Sequence, residues 1–207
     1  MPIDLTPFLE PARCAILVFE CQENVIGAGS RIPGLVEAVR ARGILPRIAR
    51  LLQRARAAGV RVFYCTAEPR ADGLGRARTP LHDRMQRVAA PSGDVADTSV
   101  VKELAPEAGD VLLPRSHGMS AFYDTALDPC LRDLEIRTVI PVGVSLNIGL
   151  IGTTIEAVNH GYRVVFPEDC AAGDPPEYGE QVVRYAIRNL AYVTSSAQIA
   201  EAWSARS

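Results

Sequence analysis

Short, unbroken apolar runs recur along this chain, and stretches with helical periodicity separate them. Residues 15–19 (AILVF), 60–65 (VRVFYC), 110–113 (DVLL), 138–142 (TVIPV) and 163–166 (RVVF) have the length of strands. They are apolar on both sides rather than alternating, so each must be covered on both faces. That requirement selects a parallel sheet packed between helix layers. Residues 45–58 read as a helix stopped by Gly59, and residues 127–134 as a short helix with Pro129 in its first turn. Residues 147–159 read as a helix closed by His160 and Gly161, and 177–190 as another. Residues 191–194 predict a sixth short strand, and 196–203 a closing helix capped by Ser195 or Ser196. The expectation is an α/β chain forming one three-layer α/β/α domain over residues 1–207, with five or six parallel strands and right-handed crossovers.

Bulk properties remove several function classes. Lys plus Arg number 22 against 24 Asp plus Glu, a net charge of -2, so neither nucleic acid nor an anionic membrane is an expected partner. Arg47, Arg50, Arg54 and Arg56 read as a solvated helix face. The start of the chain has no basic stretch leading into an apolar one, and no apolar run is long enough to span a bilayer. The five cysteines, Cys14, Cys21, Cys65, Cys130 and Cys170, are scattered, odd in number and lack CxxC spacing. That usage fits a reducing, cytoplasmic setting and argues against a disulfide framework or a zinc site. His82, His117 and His160 are far apart and no HExxH occurs, so nothing points to a metal. No GxGxxG follows the first strand and no Walker sequence is present, so no cofactor is expected.

Chemistry is expected at the C-terminal ends of the strands, where open parallel sheets place their ligands. Glu20 stands directly after the first run, as general acid/base or as a loop hydrogen-bonder. Arg115 and His117 follow the third, as carboxylate binder and proton shuttle or as surface and turn residues. The fourth run leads through residues 142–154 (VGVSLNIGLIGTT) into a helix whose first N–H groups suit an oxyanion or carboxylate. Ser145 lies in that turn without a GxSxG elbow around it. Residues 21–44 and 66–80 read as irregular stretches after strand ends, either binding loops and lids or surface insertions and subunit contacts.

Several segments, in order, carry a family resemblance: AILVFECQENVIG, VRVFYCTAEP, ELAPEAGDVLLPRSHGMSAFYDTALDPCLRDLEI and VIPVGVSLNIGLIGTTIEAVNHGYRVVFPEDCAA. Together they make the chain resemble the isochorismatase-like hydrolases, also called cysteine hydrolases, over nearly its whole length. The resemblance implies strand order 3-2-1-4-5-6 and a cis peptide near Val144 and Ser145. In amidase members it implies a triad: an aspartate after the first strand, a lysine after the third, and a cysteine nucleophile at the helix start. Glu20 matches the aspartate, Gly149 matches the cysteine, and Arg115 or His117 stands where the lysine is expected. A thioester route through position 149 is therefore closed.

Some true isochorismatases carry glycine there, because cleaving a vinyl ether takes proton transfer and water rather than a thiol. The resemblance then implies a small carboxylated substrate, with Glu20, Arg115, His117 and Gly149 at the catalytic positions. Gln22, Glu68, Phe122, Val144, Ser145, Leu146 and Ile148 fall at substrate-binding positions. It leaves open an inactive member that binds small molecules or assembles, and an amidase with its thiol relocated to Cys21 or Cys65. A homodimer or homotetramer is also implied, with Trp203 compatible with a subunit contact or with packing on its own domain.

Overall fold

The computed structural model describes residues 4–88 and 96–205. Among them the strands are β1 (Cys14–Phe19), β2 (Arg61–Ala67), β3 (Val111–Arg115), β4 (Thr138–Val144), β5 (Arg163–Pro167), β6 (Ala171–Ala172) and β7 (Tyr192–Thr194). The helices are α1 (Glu23–Ile26), α2 (Pro33–Arg42), α3 (Ile44–Ala57), α4 (Pro80–Val88), α5 (Leu127–Asp133), α6 (Ile151–Asn159), α7 (Pro176–Tyr185) and α8 (Ser196–Ser204). The sheet runs β3-β2-β1-β4-β5-β7, all parallel, with the two-residue β6 joined to β4 through Gly143 and Val144. This is the expected order, with β7 as the sixth strand and β6 as an addition.

Period-two alternation on β1 divides the core. Ile16 and Val18 face one layer with Ile44, Ile48, Leu51, Leu52 and Ala55 of α3 and with Ile199 and Trp203 of α8. Ala15, Leu17 and Phe19 face the other, with Leu131 of α5, Ala157 of α6 and Val182 of α7. All six β1 residues are buried, so the continuous apolar run reports a central strand covered on both faces. Ser195 starts α8 with a capping box: its hydroxyl accepts from the Gln198 N–H, and the Gln198 side chain reaches back. No helix among the described residues is long and apolar enough to cross a membrane.

Several expectations are corrected. Residues 21–44 hold α1 and α2 rather than an irregular loop. Pro33 sits in the first turn of α2, and Gly43 at φ 59° supplies the left-handed residue that separates it from α3. α4 was not expected, although Thr79-Pro80 is its start signal: the Thr79 hydroxyl accepts from His82 N–H at 3.3 Å. The helix expected over 177–190 stops at Tyr185, and a single 3-10 turn, Ile187–Asn189, follows it. Arg56 is not part of a solvated face. It donates to Glu107 and Asp110, each at 2.6 Å, and to the Tyr64 hydroxyl at 3.1 Å. Trp203 is 1% exposed and belongs to the core of its own domain, so it offers no subunit contact.

Candidate active site

The C-terminal edge of the sheet gathers three strand ends. β1 ends at Phe19, paired with Cys65 of β2 on one side and Gly143 of β4 on the other. Glu20 follows in the left-handed region, φ 50°, which is uncommon for a residue with a side chain. Its N–H donates to Cys65 O at 3.1 Å, and its carbonyl accepts from Gln22 N–H at 2.9 Å, closing a tight turn. The turn breaks the strand and leaves the carboxylate beyond the sheet edge.

Arg115, the last residue of β3, reaches across the end of β2 to that carboxylate. Its Nη2 donates to Glu20 Oε1 in an ion pair whose side chains are 4% and 21% exposed. The guanidinium lies 4.7 Å from the centroid of the Phe19 ring, within cation–π range. Nε is 3.5 Å from Gly118 O, too far for more than a weak bond. Nη1 is buried and has no hydrogen-bond partner among the described residues.

Arg115, and not His117, is therefore the cation beside Glu20. His117 turns outward: its Nε2 is 3.4 Å from Asp124, its Nδ1 is 3.1 Å from the Ser116 hydroxyl, and its ring meets Tyr123 edge-on.

Gly149 sits in the five-residue π turn Leu146–Leu150 that leads into α6. A Cβ placed on it would stand 2.2 Å from Cε1 of Phe19 and 3.0 Å from Cζ. The volume that a side chain would need is filled by the Phe19 ring. Sequence reasoning missed Phe19 because an apolar residue ending an apolar strand looks ordinary. The glycine was the signal, since a residue without a side chain at a buried helix start implies that something else occupies the space.

The remaining expected residues divide. Val144, at 0% exposure, and Leu146, at 1%, are buried, and their side chains pack in the core. Ser145 and Ile148 are half-buried, and the Val144–Ser145 peptide is cis. The N–H groups of Ile148 and Leu150 donate to Ser145 O at 3.3 and 3.0 Å, so this turn uses two of its amides internally. Gln22 is fully buried and bound to backbone: its amide N–H groups donate to Ala67 O at 3.2 Å and Thr98 O at 2.7 Å, and its oxygen accepts from Ala67 N–H at 2.7 Å. It clamps the ends of β1 and β2 and does not present its amide to solvent. Glu68 is exposed, with its carboxylate accepting from Thr66 at 3.1 Å. Phe122 stacks on His160 and Tyr162, where α6 hands over to β5 at the opposite edge of the sheet, so it does not join Glu20.

The relocated thiol fails on environment. Cys21 and Cys65 are each 2% exposed. Burial pushes the Cys65 thiol up to about 12, with Arg115 opposing and Glu20 adding to the rise. Burial and then Glu20 raise Cys21 further still. Both stay protonated at neutral pH, the unreactive form. Among the described residues no group of three or more His, Cys, Asp or Glu is placed to hold a metal ion.

The chain matches the Isochorismatase domain model over residues 14–198. It is 28% identical over 196 residues to ureidoacrylate amidohydrolase RutB of Rhizobium rhizogenes, an alignment covering 88% of this chain and 79% of that protein. A cysteine hydrolase from Pseudomonas syringae pv. phaseolicola 1448A matches in structure with a TM-score of 0.80 at 25% identity, covering 100% of this chain and 97% of that one. N-carbamoylsarcosine amidase from Thermoplasma acidophilum matches at a TM-score of 0.66 and 23% identity, covering 89% and 96%, a likeness of fold alone. With the domain match running from the first residue of β1 into α8, the chain belongs to the isochorismatase-like hydrolase family.

Proposed function

We propose that this chain hydrolyses a small carboxylated substrate without a cysteine nucleophile, with Glu20 as general acid/base and Arg115 as its charge partner. One observation carries this reading. The Glu20–Arg115 pair stands at the C-terminal edge of the sheet, beside a helix start whose side-chain space Phe19 fills. The reaction then needs only a proton and water. With a vinyl ether such as isochorismate, Glu20 protonates the terminal vinyl carbon. Water adds to the oxocarbenium ion, and the hemiketal collapses to release pyruvate. With a C–N bond, Glu20 takes a proton from the attacking water and returns it to the leaving nitrogen. The name of the ureidoacrylate amidohydrolase relative supports including the C–N case.

A binding-only member is the second reading. The observation favouring it is that the only counter-charge on Glu20 among the described contacts is a guanidinium already packed on Phe19. Product release from isochorismate, ureidoacrylate and N-carbamoyl amino acids, by wild type and by Glu20→Gln, separates the two. The enzymatic reading expects one substrate to be turned over, with a loss of about 10²- to 10⁴-fold in the variant. Binding of a panel member with no turnover of any would replace it with the second.

A further inference from the structure

We infer that Arg115 is shared: its Nη1 forms a subsite for the ligand's carboxylate while its Nη2 holds Glu20. The Arg115 side chain is 4% exposed, and its guanidinium is already fixed on two sides, by Glu20 and by the Phe19 ring. Its Nη1 is buried without a partner among the described residues, and a buried charged donor left unsatisfied is costly. A carboxylate oxygen satisfies it with a charge-assisted hydrogen bond, for which arginine is well suited. The competing anion site at the start of α6 is weakened, because Ile148 and Leu150 N–H groups are turned onto Ser145 O.

Sharing has a consequence. A ligand carboxylate on Nη1 and the Glu20 carboxylate on Nη2 are like charges on one cation. The guanidinium between them offsets part of their repulsion, so the ligand anion is held without displacing Glu20. The other titratable groups facing this pair are the thiols of Cys21 and Cys65, both buried and protonated, while His117 faces Asp124. None of them supplies a competing charge. Phe19 acts here as a positioning residue, since its ring holds the guanidinium plane.

The subsite deepens the proposed reading of the site, but its test needs no turnover. Binding of acetate and of its neutral isostere acetamide is measured by NMR on wild-type protein and on Arg115→Lys, from about pH 6 to pH 8. Acetate is expected to bind at least about tenfold more tightly than acetamide. Arg115→Lys, which keeps the charge but lacks Nη1, is expected to lose most of that preference. Equal binding of acetate and acetamide by wild type overturns the subsite. An Arg115→Lys protein that keeps the full preference for acetate overturns the role of Nη1. A protein that binds acetate in the expected way yet hydrolyses nothing removes the enzymatic reading and leaves the subsite standing.

Discussion

Replacing Gly149 by alanine tests the packing that defines this site. The added Cβ would stand 2.2 Å from Phe19 Cε1, 3.0 Å from Cζ and 3.1 Å from Cδ1, all well inside contact distance. Phe19 is 0% exposed and sits on a central strand paired on both sides, so its backbone has nowhere to retreat. Overpacking of this kind costs about 1–3 kcal/mol. Alanine recovers up to about 1 kcal/mol at a helical position, because glycine carries the larger backbone entropy cost. The expected net loss is about 1–2 kcal/mol, a fall in Tm of several degrees for a domain of this size. Phe19→Leu in the same chain removes the obstructing ring atoms. The double variant should then recover stability relative to the sum of the singles, a coupling of about 0.5–3 kcal/mol. Urea denaturation of wild type, the two singles and the double completes the cycle. A Gly149→Ala protein as stable as wild type, or strictly additive effects, would refute the claim that Phe19 occupies the space above position 149.

Other perturbations follow from the same geometry. Gln22→Leu should destabilise strongly, because Ala67 N–H, Ala67 O and Thr98 O lose their partner, at about 1–3 kcal/mol per group left unsatisfied; chemical denaturation reads this directly. Native protein should expose one readily titrated thiol, that of half-buried Cys130, and all five cysteines in denaturant. Rapid native labelling of Cys21 or Cys65 would contradict their burial. Stability should fall in alkali. Cys65 and Cys170 ionise near 9.0 when unfolded, but burial holds them protonated to about 12 in the fold, and Cys21 is raised as well. Above about pH 9 the unfolded chain therefore binds fewer protons than the native one, and each such thiol removes up to about 1.4 kcal/mol per pH unit. Urea midpoints at pH 8 and pH 10 check the sign.

The sheet was legible because a buried parallel strand writes itself as an unbroken apolar run, and β1, β2, β4 and β5 all do so. The Ala171–Ala172 strand was not, since two residues carry no period. α1 and α2 were hidden because glycines and proline punctuate residues 21–44, although those residues act as a cap and a first-turn start rather than as loop formers. The site was half legible. Glu20 and Arg115 lie at strand ends and Gly149 where the resemblance placed it, and the structure brings them together around Phe19. The family resemblance placed Gln22 and Phe122 at ligand-binding positions, but their side chains are engaged by the protein. Nothing in a linear sequence distinguishes an amide that faces a ligand from one that clamps two strand ends. The choice between Arg115 and His117 also needed three dimensions. β3 lies two strands from β1, and only the residue at its very end reaches back across β2.

The central claim is hydrolysis without a thiol. The most direct test is the steady-state rate on the best panel substrate for a variant with all five cysteines replaced by alanine, beside the same variant carrying Glu20→Gln. The cysteine-free protein is expected to keep its rate, and Glu20→Gln to lower it by about 10²-fold or more. Loss of the rate on removing the cysteines from a protein that still folds, with Glu20→Gln leaving the wild-type rate unchanged, would contradict it.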